Sequence, residues 1–117
     1  MRKEKLITGS VVIFVIAIAL VIIYFRQVPS PQITESAAQC IGQNSVMYAQ
    51  TGCSHCLDQE AMFGSYVSKL NIIDCLQQNQ TQKCIDAKIE ATPTWIIKNQ
   101  SYTGVQTIDK LKQLTGC

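Results

Sequence analysis

Two cysteines one helical turn apart, in Cys53-Ser54-His55-Cys56, lie between a strand-like run and a helical one, and this junction constrains the chain more than any other feature. The run before it is Ser45-Val46-Met47-Tyr48-Ala49-Gln50, and the helical pattern begins at Ser54. A thiol at a helix N-terminus faces unsatisfied N–H groups and the positive end of the helix dipole, which stabilise its thiolate. The thiolate is the attacking species in disulfide exchange, and a second thiol within reach resolves the mixed disulfide that forms. His55, between the two cysteines, adds a group able to interact with the anion. The junction reads as a redox centre. Two plainer readings compete with it, a purely structural disulfide and half of a zinc site. Zinc takes four ligands, commonly as two close pairs. Cys75 and Cys84, with eight residues between them, make a poor second pair, even with His55 as a stand-in ligand.

The N-terminus bears on cellular position. Leu6 to Phe25 is a run of 20 residues without a charge, and Val11 to Phe25 is apolar apart from a tyrosine hydroxyl. At about 1.5 Å per residue such a helix spans a hydrocarbon core of roughly 30 Å. Arg2, Lys3 and Lys5 precede it, Glu4 offsets one charge, and Arg26 follows, so the positive-inside rule predicts a cytoplasmic N-terminus. The expectation is a single-pass anchor over 6–25, behind a basic flank at 1–5, with everything after it extracytoplasmic. A cleaved signal peptide is the rival. Its apolar region is usually about 7–15 residues, and Gln27-Val28-Pro29-Ser30-Pro31 is a poor cleavage site. Residues 26–39, with Pro29, Pro31 and small polar residues, read as a flexible tether.

Residues 40–117 are then one small domain. A core of that size is thin and is often supplemented by disulfides, and six cysteines in so short a chain point to an oxidising compartment. A net charge of +2 with no basic surface interleaved with aromatics argues against nucleic-acid binding. Asn79-Gln80-Thr81 and Asn99-Gln100-Ser101 fit the N-glycosylation pattern, a triplet that chance also supplies. Periodicity predicts a strand at 45–50, a turn at Thr51-Gly52, and a helix from Ser54 to Leu70 that places Phe63, Val67 and Leu70 on one face with Cys56. Gly64 weakens that helix in the middle. A second strand is predicted at 71–74, a short helix around Cys84, Ile85 and Ile89, and a third strand at 94–98. Asn99-Gln100 is placed as a hairpin turn into a fourth strand at 101–103. Thr107 caps a last helix with Ile108, Leu111 and Leu114 inward and Gly116 past its end. The predicted order is β-α-β-α-β-β-α.

That order, with CxxC at the first strand–helix junction and Ala91-Thr92-Pro93-Thr94-Trp95 before the third strand, resembles the minimal thioredoxin-like α/β fold. In such proteins the proline is cis and packs against the CxxC, and the backbone of the preceding residue pairs with a substrate polypeptide. The run Tyr48, Cys53-Ser54-His55-Cys56, Asp58-Gln59, Phe63, Cys75, Cys84, Pro93-Thr94-Trp95 and Tyr102-Thr103-Gly104-Val105-Gln106, with Leu111, is similar to one subgroup. Its members are thioredoxin-like domains fused to, or partnered with, bacterial and archaeal homologues of vitamin K epoxide reductase. The resemblance implies a protein thiol:disulfide oxidoreductase that needs no cofactor. Such a domain collects electrons from reduced exported polypeptides and passes them to a membrane reductase of quinone. Carried over, Cys53 is the attacking thiol, Cys56 the resolving one, Cys75 and Cys84 an accessory redox pair, and Thr92-Pro93 the substrate-facing turn.

The chain departs from that pattern in several ways. A single apolar run leaves no room for a quinone-reducing bundle, so a separate partner must supply it. Gly52 precedes the motif where an aromatic is common. Met47 stands where many thioredoxins bury an acid that accepts the proton of the resolving thiol. For Cys75 and Cys84, a static loop-closing disulfide and an electron relay both fit. For Cys40 and Cys117 a structural bond tying the two ends of the domain is the expectation, with intermolecular pairing or free thiols as alternatives. Trp95 and Tyr48 read as core aromatics. Two other classes of function use the same parts. One is a reductase, isomerase or metallochaperone for the cysteines of membrane cytochrome or copper sites, and the other is a non-catalytic binding module stapled by disulfides.

Overall fold

The computed structural model describes residues 2–26 and 33–117, with the side chains of the first helix described over 9–24. The chain divides into two compact units, Met1–Ser30 and Pro31–Cys117. The first contains helix α1 (Arg2–Arg26). Among the described residues no helix is long and apolar enough to cross a membrane. The expected transmembrane helix over 6–25, and with it the single-pass location with the domain extracytoplasmic, is corrected accordingly. Residues 27–32 of the expected tether lie outside the described residues.

The second unit holds a four-stranded mixed sheet in the order β2-β1-β3-β4. Strand β1 (Val46–Ala49) runs parallel to β2 (Ile72–Asp74), with Met47 opposite Ile72. It runs antiparallel to β3 (Thr94–Ile97), with Met47 opposite Trp95. A hairpin joins β3 to β4 (Gln100–Thr103). The domain's mixed α/β architecture thus follows the predicted strand order, whereas the membrane helix expected before it is not found among the described residues. The hairpin turn falls one residue earlier than predicted. Lys98 and Asn99 both take positive φ, 50° and 63°, as the two central residues of a type I′ turn must, and this frees Gln100 to pair with Ile97.

Helix α2 (Glu35–Asn44) occupies part of the stretch read as a tether. Its polar residues hide the pattern, but Ala38 and Ile41 share one face and are fully buried. Thr34 caps it, its Oγ1 accepting from the Ala37 N–H at 3.3 Å. The helix predicted from Ser54 to Leu70 is two pieces, α3 (Ser54–Ala61) and a 3-10 segment (Gly64–Lys69). Gly64 has φ 54°, which the interior of an α-helix does not accommodate, so α3 ends before it and the chain restarts as the 3-10 segment. Helix α4 (Thr81–Asp86) carries Cys84 and ends before Ile89, whose N–H returns to the Cys84 carbonyl at 3.0 Å. Helix α5 (Ile108–Thr115) is capped by the Thr107 hydroxyl and closed by Gly116 at φ 82°. The core joins Ile33, Ala38 and Ile41 to Met47, Ala49, Cys56, Phe63, Trp95, Ile97 and Leu111. At its centre the Phe63 and Trp95 rings are tilted against each other with centroids 6.2 Å apart.

Candidate active site

The carboxyl end of β1 leads into a four-residue turn, Gln50 to Cys53, closed by the Cys53 N–H on the Gln50 carbonyl at 3.0 Å. Gly52, third in the turn, has φ 84°, as a type II turn demands. This explains the departure noted above, because an aromatic side chain at that φ would be strained. The turn is also anchored sideways. Asp74, the last residue of β2, accepts the Thr51 hydroxyl and, at 3.2 Å, the Thr51 N–H. It also accepts the Leu76 N–H at 2.9 Å. These donors, the Thr51 hydroxyl foremost, hold the Asp74 carboxyl below its usual range, so it stays ionised.

Cys53 is the N-cap residue of α3, and its sulfur accepts from the Cys56 N–H at 3.2 Å. The Thr92 hydroxyl donates to the same sulfur at 3.5 Å, and the Thr92 carbonyl oxygen lies 3.6 Å from it. Cys53 is half-buried whereas Cys56 is 2% exposed, and the two are joined as a disulfide with Cα atoms 5.3 Å apart. Thr92–Pro93 is a cis peptide, and Pro93 is fully buried behind the exchange centre. The turn that carries them is held by the Thr94 hydroxyl on the Ala91 carbonyl at 2.8 Å and by the Gly104 N–H on the Pro93 carbonyl at 2.8 Å. Cys53, Cys56, Thr92 and Pro93 thus converge. His55 is exposed, with Nδ1 3.6 Å from a carboxylate oxygen of Asp58 on the outer face of α3.

Cys75 and Cys84 form a second disulfide, which ties the end of β2 to α4. The Cys75 N–H donates to the Ala49 carbonyl at 2.9 Å, so both disulfides sit at the carboxyl ends of adjacent parallel strands. Cys40 and Cys117 are bonded, joining α2 to the residue after α5 with a sequence separation of 77. Among the described residues no cluster of three His, Cys, Asp or Glu side chains is arranged to hold a metal.

Two functional contacts escaped sequence reasoning. The resemblance points only to the backbone of Thr92, and the reach of its hydroxyl to Cys53 depends on how the turn meets the sheet. Gln59 is fully buried: its Oε1 accepts from Trp95 Nε1 at 3.1 Å and from the Gln106 N–H at 2.7 Å. Its Nε2 donates to the Gln106 carbonyl at 3.0 Å. This clasp fixes α3, and with it the CxxC, against β3 and the segment before α5. A signal was present, since Gln59 lies three residues after Cys56, on the helix face that also carries Phe63.

No family model matches the chain. It is 35% identical over 104 residues to the thiol-disulfide oxidoreductase LTO1 of Arabidopsis thaliana, an alignment covering 80% of the chain and 28% of that protein. The chain therefore corresponds to a little over a quarter of the curated relative's length. Oxidized glutaredoxin 2 of Chlamydomonas reinhardtii aligns with 72% of the chain and 98% of its own length, at 16% identity and a TM-score of 0.46, a likeness too loose to build on. The geometry around Cys53 is suited to thiol–disulfide exchange, the chemistry for which that relative is named.

Proposed function

We propose that the chain is a protein thiol:disulfide oxidoreductase working as a disulfide donor. In this reading it oxidises the cysteines of exported polypeptides and hands the electrons to a separate membrane quinone reductase of the vitamin K epoxide reductase type. The observation that carries the reading is the Cys53 sulfur, the more accessible of the pair, receiving hydrogen bonds from both the Cys56 N–H and the Thr92 hydroxyl. A substrate thiolate attacks this sulfur, the Cys53–Cys56 bond breaks, and its electron pair leaves with Cys56. A second substrate thiolate then attacks the substrate sulfur of the mixed disulfide, and Cys53 departs as a thiolate held by the same two donors. A stabilised leaving thiolate favours oxidation of the substrate. The pair is left reduced by two electrons, with Cys53 a thiolate and Cys56 a thiol, and reduction of the partner's quinone takes up those electrons together with one proton from Cys56 and one from solvent. Three disulfides within the described residues suit an oxidising compartment. The quinone partner rests on the resemblance carried by the second cysteine pair and the Tyr102–Gln106 segment.

The test is equilibration of the full chain in graded glutathione buffers, followed by alkylation of free thiols and mass mapping of each cysteine. A Cys53–Cys56 potential near or above about −200 mV is expected, and one near −270 mV or lower would turn the reading into a reductase. Cys53→Ala should abolish exchange with a reduced peptide, and substantial remaining activity would remove Cys53 from the role of nucleophile.

A further inference from the structure

Reversible opening of the Cys53–Cys56 bond leaves a proton to be managed at Cys56, a residue only 2% exposed. Burial disfavours the thiolate, so the sulfur must gain a proton as it leaves and lose one before it attacks again. Nothing on β1 supplies a carboxylate, since its buried residues are Met47, Tyr48 and Ala49. A cleft of about 250 Å³ adjoins the pair, lined in part by Cys53, Cys56, Leu57, Glu60, Ile72 and Asp74. That volume holds several water molecules at roughly 30 Å³ each. Its two carboxylates are not equivalent. Asp74, from β2, is occupied by the Thr51 N–H, the Thr51 hydroxyl and the Leu76 N–H, and these hold its proton affinity down. Glu60, from α3, is half-buried one helical turn beyond Cys56, on the face of the helix that meets the cleft. The remaining wall, from β1 and the turn, carries no charge, and His55 and Asp58 pair with each other on the exposed side of α3.

We propose that Glu60 is the proton acceptor and donor for Cys56, acting through water in this cleft. The inference rests on the exchange reading above. When a substrate thiolate attacks Cys53, the electron pair leaves with the Cys56 sulfur, which takes a proton from cleft water as that water is replenished from Glu60. In the reverse step the Cys56 thiol gives its proton through water to the Glu60 carboxylate. Its sulfur then attacks Cys53 in the mixed disulfide, the Cys53–Cys56 bond re-forms, and the outgoing partner leaves as a thiolate with the electron pair of the broken bond. Glu60 touches the reaction only through water and Cys56, so its effect belongs to the resolution step and to its pH dependence.

The full chain, reduced at Cys53–Cys56, is mixed with excess oxidised glutathione, and the glutathione mixed disulfide at Cys53 is followed by acid quench and mass spectrometry from pH 5 to 9. In Glu60→Gln the mixed disulfide should still form, but its lifetime at pH 7 should lengthen about tenfold or more. The pH–rate curve for its resolution should also change shape, and Glu60→Asp should restore part of the rate. Near-ultraviolet circular dichroism of each variant separates this from misfolding, with Glu60→Asp carrying the test should Glu60→Gln not fold. A Glu60→Gln curve that superimposes on the parent's overturns the proposal, as does a slowing produced by Asp74→Asn instead. A parent chain that forms no mixed disulfide at Cys53 overturns the exchange reading itself, and this inference with it.

Discussion

Thr92 joins the two halves of the site at the level of a single hydroxyl. Its Oγ1 is one of two donors to the Cys53 sulfur, and a hydrogen bond to a charged group contributes about 1.5–3 kcal/mol. Thr92→Val keeps the shape and removes the donor. The expected result is a roughly tenfold loss of Cys53 thiolate at neutral pH, read from the pH dependence of alkylation by iodoacetamide. An unchanged profile would leave the Cys56 N–H and the helix terminus as the whole source of thiolate stabilisation. Gln59 acts at the same scale but on position, because both ends of its amide are satisfied where water is excluded. Cys53 and Cys56 are legible as chemistry from their spacing, and Pro93 from the resemblance that the CxxC and the turn before the third strand carry together. The Thr92 hydroxyl and the Glu60 carboxylate are not, since their meaning depends on what they face.

Among the elements, α2 shows how packing overrides composition. Seven of its ten residues are Glu, Ser, Gln, Asn, Cys or Gly, yet Ala38 and Ile41 close one side of the core. Gly42 lets the helix approach the 3-10 segment so closely that a Cβ there would fall inside the Lys69 carbonyl. Glu35 and Lys69 close the same contact at 2.8 Å. Gly42→Ala therefore sets two effects against each other. Helix propensity favours alanine by about 1 kcal/mol, and backbone overpacking costs about 1–3 kcal/mol. The contact with backbone rather than a movable side chain decides it, and a net loss of stability is expected in denaturant titration. A stabilised variant would mean that α2 shifts away without cost. The same close contact explains why the stretch before Cys40 could not be read as part of the domain: α2 is helical because of what it covers, and its covering partner lies some 25 residues away along the chain.

For the domain as a whole, the Cys40–Cys117 bond closes a loop of 77 residues around the entire sheet. In the chain-entropy account such a closure stabilises the fold by about 4 kcal/mol or more. Replacing both cysteines by serine should lower the denaturation free energy by that order while leaving Cys53–Cys56 exchange intact in the cold, where the domain remains folded. Loss of exchange in a variant with native circular dichroism would instead tie this bond to the chemistry. The sheet order adds a second consequence at this scale. Because β1 and β2 are parallel neighbours, the loops after them emerge side by side, and this places Cys75–Cys84 next to the turn that carries Cys53. Asp74 bonds that turn to the Cys75 loop directly.

What the amino-acid sequence determined unaided is what acts over a few residues. The cysteine spacing, the Thr107 cap and the φ requirements met by Gly52, Gly64 and Gly116 are all satisfied by near neighbours along the chain. Tertiary structure alone decided that Cys75–Cys84 lies beside the turn carrying Cys53, which carboxylates line the cleft at Cys56, and that the stretch after Thr34 is a helix of the core. Those are distances between residues far apart in sequence. They are set when apolar faces are buried against one another, a condition that periodicity announces but does not locate.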